Sequence, residues 1–338
     1  MLSHFKPKCH RLPLPVVLNP ASLRRLDTDN SNHASPLKRS YLYVPSSSDR
    51  MLEKSLSSNS DMIIYDLEDS VPPAPADKES SRARLRAFLR RGDLPPRDRI
   101  AVRVNDINTP FFLEDISQIV PTKNVGSLVL PKVHSAEDLN HVSSAIHKAV
   151  QNSPLSLQLI ASIESAKASW NLGGVAAWRS EHGMIGGTLS ALLFAAEDYC
   201  ADTSILRSPS RHELLYTRSQ IVIAAKAFGL DAIDMVCVNY KDLEYLREEC
   251  QDGRQLGFTG KQAIHPTQVD IIQSAFVPTS SEIMRAAKIV HKMELVHASN
   301  RGAAGLDGEM IDRPMILQAE KVLQIARAAN LEIPHIDS

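Results

Sequence analysis

The chain has few cysteines: Cys9, Cys200, Cys237 and Cys250 are the four in 338 residues, and no two are spaced as Cys-x-x-Cys. This scarcity argues against a zinc knuckle or a disulfide framework and is typical of a reducing compartment. The net charge is only −1, so the composition gives no basic field that would attract nucleic acid or a membrane surface. No apolar run is long enough to span a bilayer.

Several common motifs are also missing. No Gly-x-Gly-x-x-Gly follows the first predicted strand, and no Gly-x-x-x-x-Gly-Lys-Ser/Thr occurs, which argues against the usual nucleotide-binding folds. The sequence has no Gly-x-Ser-x-Gly elbow of a serine hydrolase. Its histidines lack the His-Glu-x-x-His spacing of zinc proteases.

The first 37 residues differ in composition from the rest. They contain frequent Pro, Ser and Asn and no acidic residue before Asp27, while their basic residues are Lys6, Lys8, Arg11, Arg24 and Arg25. A basic, acid-poor N-terminus predicts a disordered leader that directs the protein to the mitochondrial matrix. The alternative is an ordinary disordered tail on a cytoplasmic protein.

Beyond residue 38, short apolar runs alternate with segments of helical spacing. The predicted strands are 41–44, 62–66, 100–104, 127–130, 157–163, 183–186, 232–236 and, more weakly, 258–264. The clearest helical segments between them are 49–58, 78–89, 136–150 and 209–228. Eight strands that alternate with helices predict an α/β fold, a closed (β/α)8 barrel, with an open doubly wound sheet as the alternative.

The predicted barrel covers residues 38–278, and residues 279–338 form a helical C-terminal segment. A glycine-rich stretch at 301–308 interrupts that segment. Glycines permit backbone motion, so the C-terminal segment is predicted to act as a lid.

Charged and polar residues follow the apolar runs at the point where each strand ends. They are Asp66, Glu68, Asp69, Arg103, Asn105, Lys132, Glu164, Glu197, Asp198, Lys261 and His265. In a (β/α)8 barrel these positions meet at the C-terminal rim, where such enzymes carry their chemistry. The alternative is that they are ordinary polar loop residues.

The predicted rim offers carboxylates and cations but no evident nucleophile. Carboxylates from separate strands suit Mg²⁺, which prefers oxygen ligands and keeps several waters. Lys132 is the alternative, as a lysine that forms a Schiff base with a carbonyl substrate.

Eight short segments, in this order, resemble the citrate lyase β-subunit-like family, a group of metal-dependent aldolases that includes malyl-CoA lyases. The segments are 39–45 (RSYLYVP), 66–71 (DLEDSV), 103–105 (RVN), 130–132 (LPK), 163–166 (IESA), 196–199 (AEDY), 260–266 (GKQAIHP) and 310–312 (MID). Together they span nearly all of the chain beyond the leader.

The resemblance implies a role for each matching residue. Glu164 and Asp198 correspond to Mg²⁺ ligands, Arg103 to a catalytic substrate-binding arginine, and Asp312 to a general acid/base on the C-terminal segment. The positions that hold the CoA ester correspond to Tyr43, Arg50, Lys54, Lys78, Ile264 and His265. Three acidic residues are candidates for binding the waters of the metal: Asp66, Glu68 and Asp69.

Three residues depart from the family pattern. Ser46 and Ala195 stand where glycine is usual, and Glu309 stands where lysine is common. These departures affect the contacts to CoA and the closure of the lid more than the reacting groups.

The resemblance implies a Mg²⁺-dependent carbon–carbon lyase. Its substrate would be a short β-hydroxyacyl-CoA such as citramalyl-CoA, split reversibly into acetyl-CoA and an α-keto acid such as pyruvate. The resemblance also implies a homo-oligomer, a trimer with shared active sites, and no nucleic-acid or membrane partner. The alternatives are an aldolase for free acids and a non-catalytic CoA-binding barrel.

Overall fold

The computed structural model describes residues 37–150, 156–298, 304–306 and 309–336. The predicted leader lies outside the described residues except for residue 37, so the leader stays a prediction. None of the described helices combines the length and the apolar character that crossing a membrane requires.

Eight parallel strands pair in chain order, and the last pairs with the first, which closes a barrel. The strands are β1 Ser40–Pro45, β2 Met62–Asp66, β3 Ile100–Arg103, β4 Ser127–Leu130, β5 Gln158–Ile163, β6 Thr188–Phe194, β7 Asp231–Asp234 and β8 Gly260–Ala263. The prediction of a (β/α)8 barrel is therefore confirmed, and the open sheet is excluded.

Helices connect the strands around the outside of the barrel. They are α1 Asp49–Ser55, α2 Pro75–Phe88, α3 Phe112–Ile119, α4 Ala136–Val150, α5 Ala166–Trp170, α6 Leu172–Ala177, α7 Ala196–Thr203, α8 Leu215–Ala227, α9 Leu243–Leu256 and α10 Val269–Ala275. Short 3-10 turns occur at Arg97–Arg99, Gly183–Gly186, His212–Leu214 and Pro266–Gln268.

The predicted sixth strand at 183–186 is wrong, because these residues form a 3-10 turn and the strand is β6. Gly183 and Gly187 have φ values of 60° and 89°. Glycine adopts this conformation readily, so both residues belong to the turn that precedes the strand. The apolar side chains that follow, Leu189, Leu192 and Phe194, are buried in the barrel wall.

Alternation along the strands gives the barrel two apolar layers. Inward side chains such as Tyr41, Ile64 and Ile160 fill the lumen as one cluster. Outward side chains such as Leu42 and Ile63 pack against the surrounding helices as a second, larger cluster. The filled lumen leaves the rim as the place for chemistry.

The chain continues beyond the barrel into α11 Ser280–Ala298, the strands β9 Ala304–Leu306 and β10 Glu309–Ile311, and α12 Arg313–Ala328. The two strands pair in antiparallel fashion. Ile283, Met293, Ile311 and Leu323 belong to a separate apolar cluster that holds this segment together. The helical C-terminal region is confirmed. Of the glycine-rich stretch at 301–308, only 304–306 lie within the described residues, so the lid stays a prediction.

Candidate active site

The carboxyl ends of the strands surround a cavity of about 410 Å³. It is lined by Tyr43, Pro45, Asp66, Asp69, Ser70, Arg103, Ser162, Ala195, Ala196, Glu197, Asp198, Val236, Gln262 and Ile264. Five of the predicted rim residues therefore line one cavity, at the face where (β/α)8 barrels carry their active sites: Asp66, Asp69, Arg103, Glu197 and Asp198.

Asp66 and Arg103 form the best-defined charged pair in this cavity. They are register partners at the ends of β2 and β3, so their side chains lie on the same face of the barrel wall. Arg103 donates from Nε and Nη2 to the two oxygens of Asp66, both at 2.7 Å. Burial opposes ionisation of Asp66, but the adjacent guanidinium lowers the pKa of its carboxyl below the ordinary value. Such a two-pronged bond fixes the direction of the arginine.

Two more carboxylates and an aromatic ring surround Arg103. Nη1 lies 3.1 Å from Glu68 and 3.2 Å from Asp69. The guanidinium carbon stands 4.9 Å from the centre of the Tyr43 ring. The Tyr43 hydroxyl donates to Gln262 Oε1 at 3.1 Å. Arg103 is thus a permanent cation held rigidly at the cavity wall.

Glu164 follows the end of β5 and is held by two donors. The backbone N–H of Lys132 donates to one of its oxygens, and the Ser162 hydroxyl donates to the other at 3.0 Å. Lys132 has a φ of 51°, an uncommon conformation for a residue with a side chain. The turn after β4 therefore aims a backbone amide at this carboxylate.

Asp198 approaches Glu164 through the neighbouring strand. Ile163 and Phe194 are register partners in β5 and β6, and Ala195 N–H donates to Ile163 O at 3.1 Å. α7 begins at the next residue, which places Asp198 in its first turn. The two predicted metal ligands thus come from adjacent strand ends.

The carboxylates of Glu164, Glu68 and Asp198 lie in a partly desolvated region and repel one another. Burial, followed by the charges of Glu68 and Asp198, raises the pKa of Glu164 to about 8. Burial is also the largest cause that raises the pKa of Glu68 to about 7. Burial and the charge of Asp69 raise the pKa of Asp198. A bound cation would relieve this repulsion, because it favours the ionised form of all three groups.

The donor set fits Mg²⁺. Across residues 37–150, 156–298, 304–306 and 309–336, no three or more His, Cys, Asp or Glu side chains are arranged to hold a metal on their own. Mg²⁺ is commonly bound by one or two carboxylates, with waters and substrate oxygens as the other ligands. Two carboxylates beside an open cavity match that pattern.

Lys132 is a poor candidate for Schiff-base chemistry. Its Nζ lies 3.4 Å from Glu68 Oε1. Burial alone would lower the lysine pKa, but the charges of Glu68 and Glu164 raise it above the ordinary value. A nucleophilic lysine needs a lowered pKa, so the geometry favours a role for Lys132 as a cation.

The predicted CoA-binding residues separate into two groups. Tyr43 and Ile264 line the cavity. Arg50 and Lys54 are exposed on α1, and their spacing of four residues places them on one face of that helix. The ring of His265 stacks on Tyr240, with 4.9 Å between ring centres. Arg50, Lys54 and His265 are not part of the cavity lining, so their contact with CoA stays a prediction.

Lys78, also predicted to bind CoA, is only 6% exposed. Its ammonium group donates to the backbone carbonyls of Leu67 at 2.9 Å and Glu68 at 2.7 Å. In this position Lys78 supports the loop after β2. A direct contact with CoA stays a prediction.

Two residues expected at the rim point elsewhere. Lys261 is 0% exposed and pairs with Glu249 of α9, outside the barrel wall. Asn105 donates from its backbone and its side chain to Asp115 of α3. The expectation that both reach the rim is wrong, because each lies on the outward, helix-facing side of its strand or loop.

Asp312 stands apart from the cavity lining. It is exposed and is the N-cap of α12, where its side chain accepts a hydrogen bond from Met315 N–H at 3.2 Å. Within its own chain, Asp312 therefore stabilises the start of α12. Its predicted catalytic role is not tested by this position.

Sequence reasoning assigned no role to two residues of the site, Ser162 and Gln262. Ser162 lies two residues before Glu164, and the period-two alternation of a strand places both on the inner face. Gln262 lies between two outward residues of β8 and donates to Phe194 O at 2.9 Å and Asp234 O at 3.0 Å. Applying that alternation to the polar strand residues would have found both.

The chain belongs to the HpcH/HpaI aldolase/citrate lyase family, whose profile matches residues 39–266. Human mitochondrial citramalyl-CoA lyase is 32% identical over 311 residues, which cover 90% of this chain and 91% of the relative. The citrate lyase subunit beta of Leuconostoc mesenteroides subsp. cremoris is 34% identical, with 87% and 95% covered.

A solved structure supports the same relationship. CitE from Mycobacterium tuberculosis, in complex with magnesium, acetoacetate and coenzyme A, is 28% identical to this chain. The match has a TM-score of 0.68 and covers 88% of this chain and 98% of that one. The resemblance stated from the sequence is therefore confirmed at the level of the family.

Proposed function

We propose that this protein is a Mg²⁺-dependent lyase that splits a short β-hydroxyacyl-CoA, such as citramalyl-CoA, into acetyl-CoA and pyruvate. The observation that carries the proposal is the pair Glu164 and Asp198 beside the fixed cation Arg103 at one barrel rim. The similarity to human citramalyl-CoA lyase and to the M. tuberculosis CitE complex with magnesium and coenzyme A supports it. The reverse reaction is a condensation of the malate or β-methylmalate synthase type.

Glu164 and Asp198 would hold the metal directly. Glu68 and Asp69 would bind its waters, whereas Asp66 already accepts bonds from Arg103 and from the N–H groups of Glu68 and Ser70. Bound Mg²⁺ would supply a Lewis acid and a template for the oxygens of the keto acid.

Arg103 would stabilise the negative charge that develops on the thioester oxygen as acetyl-CoA leaves as its enolate. Its bond to Asp66 fixes its orientation before substrate binds, so little reorganisation is needed during the reaction. The hydroxyl proton of the substrate leaves as that oxygen becomes the keto oxygen of pyruvate. Asp312 would deliver a proton to the enolate carbon, or remove a methyl proton in the synthetic direction, as a general acid/base.

Arg103→Lys is expected to lower kcat by roughly 10²-fold, because lysine keeps the charge but loses the fork that binds Asp66. Steady-state kinetics at saturating Mg²⁺ would measure the loss. Arg99→Lys is a suitable control, since Arg99 donates to backbone carbonyls of Ser58 and Ser60 away from the cavity lining. An unchanged kcat in Arg103→Lys would show that Arg103 does not stabilise the charge that develops on the thioester oxygen.

The cavity wall beside the carboxylates consists of small apolar residues, Ala195, Ala196 and Val236. Such a wall suits the hydrogen or methyl substituent of glyoxylate or pyruvate. A single methyl group in an apolar pocket contributes only about 1–3 kcal/mol to discrimination between substrates. Malyl-CoA, which would release glyoxylate, and citramalyl-CoA, which would release pyruvate, are therefore both expected to be substrates to different degrees.

An assay against citramalyl-CoA, malyl-CoA and methylmalyl-CoA tests the proposed activity. We expect Mg²⁺-dependent release of acetyl-CoA and pyruvate from citramalyl-CoA, and loss of activity with a chelator. Cleavage of the free acids alone would indicate a free-acid aldolase. CoA binding without turnover of any thioester would indicate a non-catalytic barrel.

We further propose that Arg50, Lys54 and His265 attract the phosphates of CoA at the cavity entrance. Phosphates are bound well by clustered lysine and arginine side chains.

We also propose that the protein is a homotrimer in which neighbouring subunits share each active site.

For localisation we propose the mitochondrial matrix. Deletion of residues 1–37 is expected to retain activity and to move a fluorescent fusion from mitochondria to the cytosol. A fusion of these 37 residues to an unrelated reporter is the control. Mitochondrial enrichment of the truncated protein would contradict the proposal.

A further inference from the structure

The first turn of α7, which carries Asp198, contacts an arginine that lies outside the cavity lining. Arg207 Nη1 pairs with Glu197, the residue before Asp198. Its Nη2 donates to Glu249 Oε1 at 2.8 Å and to the backbone carbonyl of Val236 at 3.1 Å. One guanidinium thus joins the first turn of α7 to α9 and to the segment that follows β7.

The other end of this contact is deeply buried. Glu249 is 0% exposed, and its second carboxylate oxygen lies 3.0 Å from Lys261 Nζ. Lys261 is itself fully buried in β8, 3.9 Å from Asp234. Buried ion pairs resist displacement, because moving one partner leaves the charge of the other buried and unpaired. A continuous line of ion pairs therefore runs from β8 through α9 to α7.

α7 needs such an anchor. Its N-cap, Ala195, makes no side-chain cap bond. The helix has only eight residues, and a helix of that length has little stability of its own. Without an external contact, the first turn that carries Asp198 would be free to fray.

We propose that Arg207, held in place by Glu249 and Lys261, is a positioning residue that fixes Asp198 for binding the metal. This inference rests on the proposed metal site. Arg207 touches neither metal nor substrate and acts through the first turn of α7. Partners of this kind beyond the direct ligands typically change metal affinity by about 10–100-fold.

Arg207→Gln is expected to weaken Mg²⁺ binding about tenfold or more, and kcat is expected to recover largely at saturating Mg²⁺. The full-length protein would be titrated with Mg²⁺ alone by calorimetry, and its Tm measured in parallel. Arg211→Gln is the matched control. The Arg211 side chain is 5% exposed, against 12% for Arg207, and it pairs with Glu248 and Asp252 of α9, so this variant is expected to lower Tm without changing Mg²⁺ affinity.

Unchanged Mg²⁺ affinity in Arg207→Gln, with a loss of Tm like that of Arg211→Gln, would overturn the proposal. If Arg207→Gln does not fold, Glu197→Ala breaks the same contact from its half-exposed side and is expected to weaken Mg²⁺ binding. Wild-type affinity in Glu197→Ala would also overturn it. Glu164→Ala in the same titration separates the proposed metal site from the proposed role of Arg207. If Glu164→Ala binds Mg²⁺ normally, the proposed metal site itself is wrong.

Discussion

Replacement of Glu164 or Asp198 with alanine is expected to lower turnover by about 10³-fold or more and to abolish measurable Mg²⁺ binding. A catalytic metal contributes several kcal/mol to stabilising the transition state, and about 1.4 kcal/mol corresponds to tenfold in rate. Each variant removes one of the two carboxylates that the barrel brings together. Kinetics and calorimetric titration with Mg²⁺ would measure the two losses.

Asp202→Ala is the matched control for this experiment. Asp202 lies one turn beyond Asp198 on α7, is exposed, and accepts a bond from the backbone N–H of Ala166. Its removal is expected to leave turnover and Mg²⁺ binding near the wild-type values. Retention of most of the wild-type rate by both Glu164→Ala and Asp198→Ala would exclude the proposed metal site.

The same site predicts a pH dependence of metal binding. The pKa of Glu164 is about 8, so the carboxyl carries a proton at neutral pH and metal binding must displace it. The apparent Mg²⁺ affinity should therefore rise with pH up to about 8, by at most tenfold per pH unit for each proton released. A pH-independent affinity between pH 6 and 8 would show that no such proton is displaced.

The barrel was predictable from the sequence because its signal is repeated. Each strand is a short apolar run, and an error in one strand does not change the architecture. The sixth strand shows the limit. Its turn contains Met184 and Ile185 between glycines and mimics a strand, and only the positive φ values of Gly183 and Gly187 decide against it. Residue type alone does not predict whether a glycine adopts such a positive φ.

The rim carboxylates were predictable from their position directly after apolar runs. The position of Lys261 was not predictable, because residue type does not tell on which side of the barrel wall a charged side chain lies. Lys261 lies on the helix-facing side of the wall, where it pairs with the buried Glu249. Long-range partners decide such cases, since a buried lysine is tolerated wherever its charge is satisfied.

The position of Asp312 also could not be interpreted from the sequence of one chain alone. Within its own chain it caps α12 and is not part of the cavity lining, yet the proposed chemistry needs a group that transfers a proton to or from carbon. A homo-oligomer would resolve this mismatch if the C-terminal segment of one subunit covers the cavity of its neighbour. In a cyclic trimer, every subunit would cover the cavity of one neighbour and be covered by the other.

Asp312→Asn separates the structural role from the chemical one. Asparagine caps helices about as well as aspartate, so the variant is expected to keep its Tm, whereas Asp312→Ala is expected to lose about 1 kcal/mol of stability. Neither variant can exchange a proton at this position. Both are therefore expected to lose about 10²- to 10⁴-fold in kcat while retaining normal Mg²⁺ binding. Loss of rate in Asp312→Ala but not in Asp312→Asn would reduce Asp312 to a helix cap.

Subunit mixing then shows where Asp312 acts. Inactive Asp312→Ala and Glu164→Ala proteins, dissociated and reassembled in equal amounts, are expected to regain activity. If subunits combine at random, about a quarter of the sites unite an intact metal site with an intact Asp312 from a neighbour. The unmixed variants, taken through the same treatment, are the controls. If mixed oligomers are confirmed and stay inactive, Asp312 does not act across the subunit boundary, and the shared-site proposal fails even if the metal site is correct.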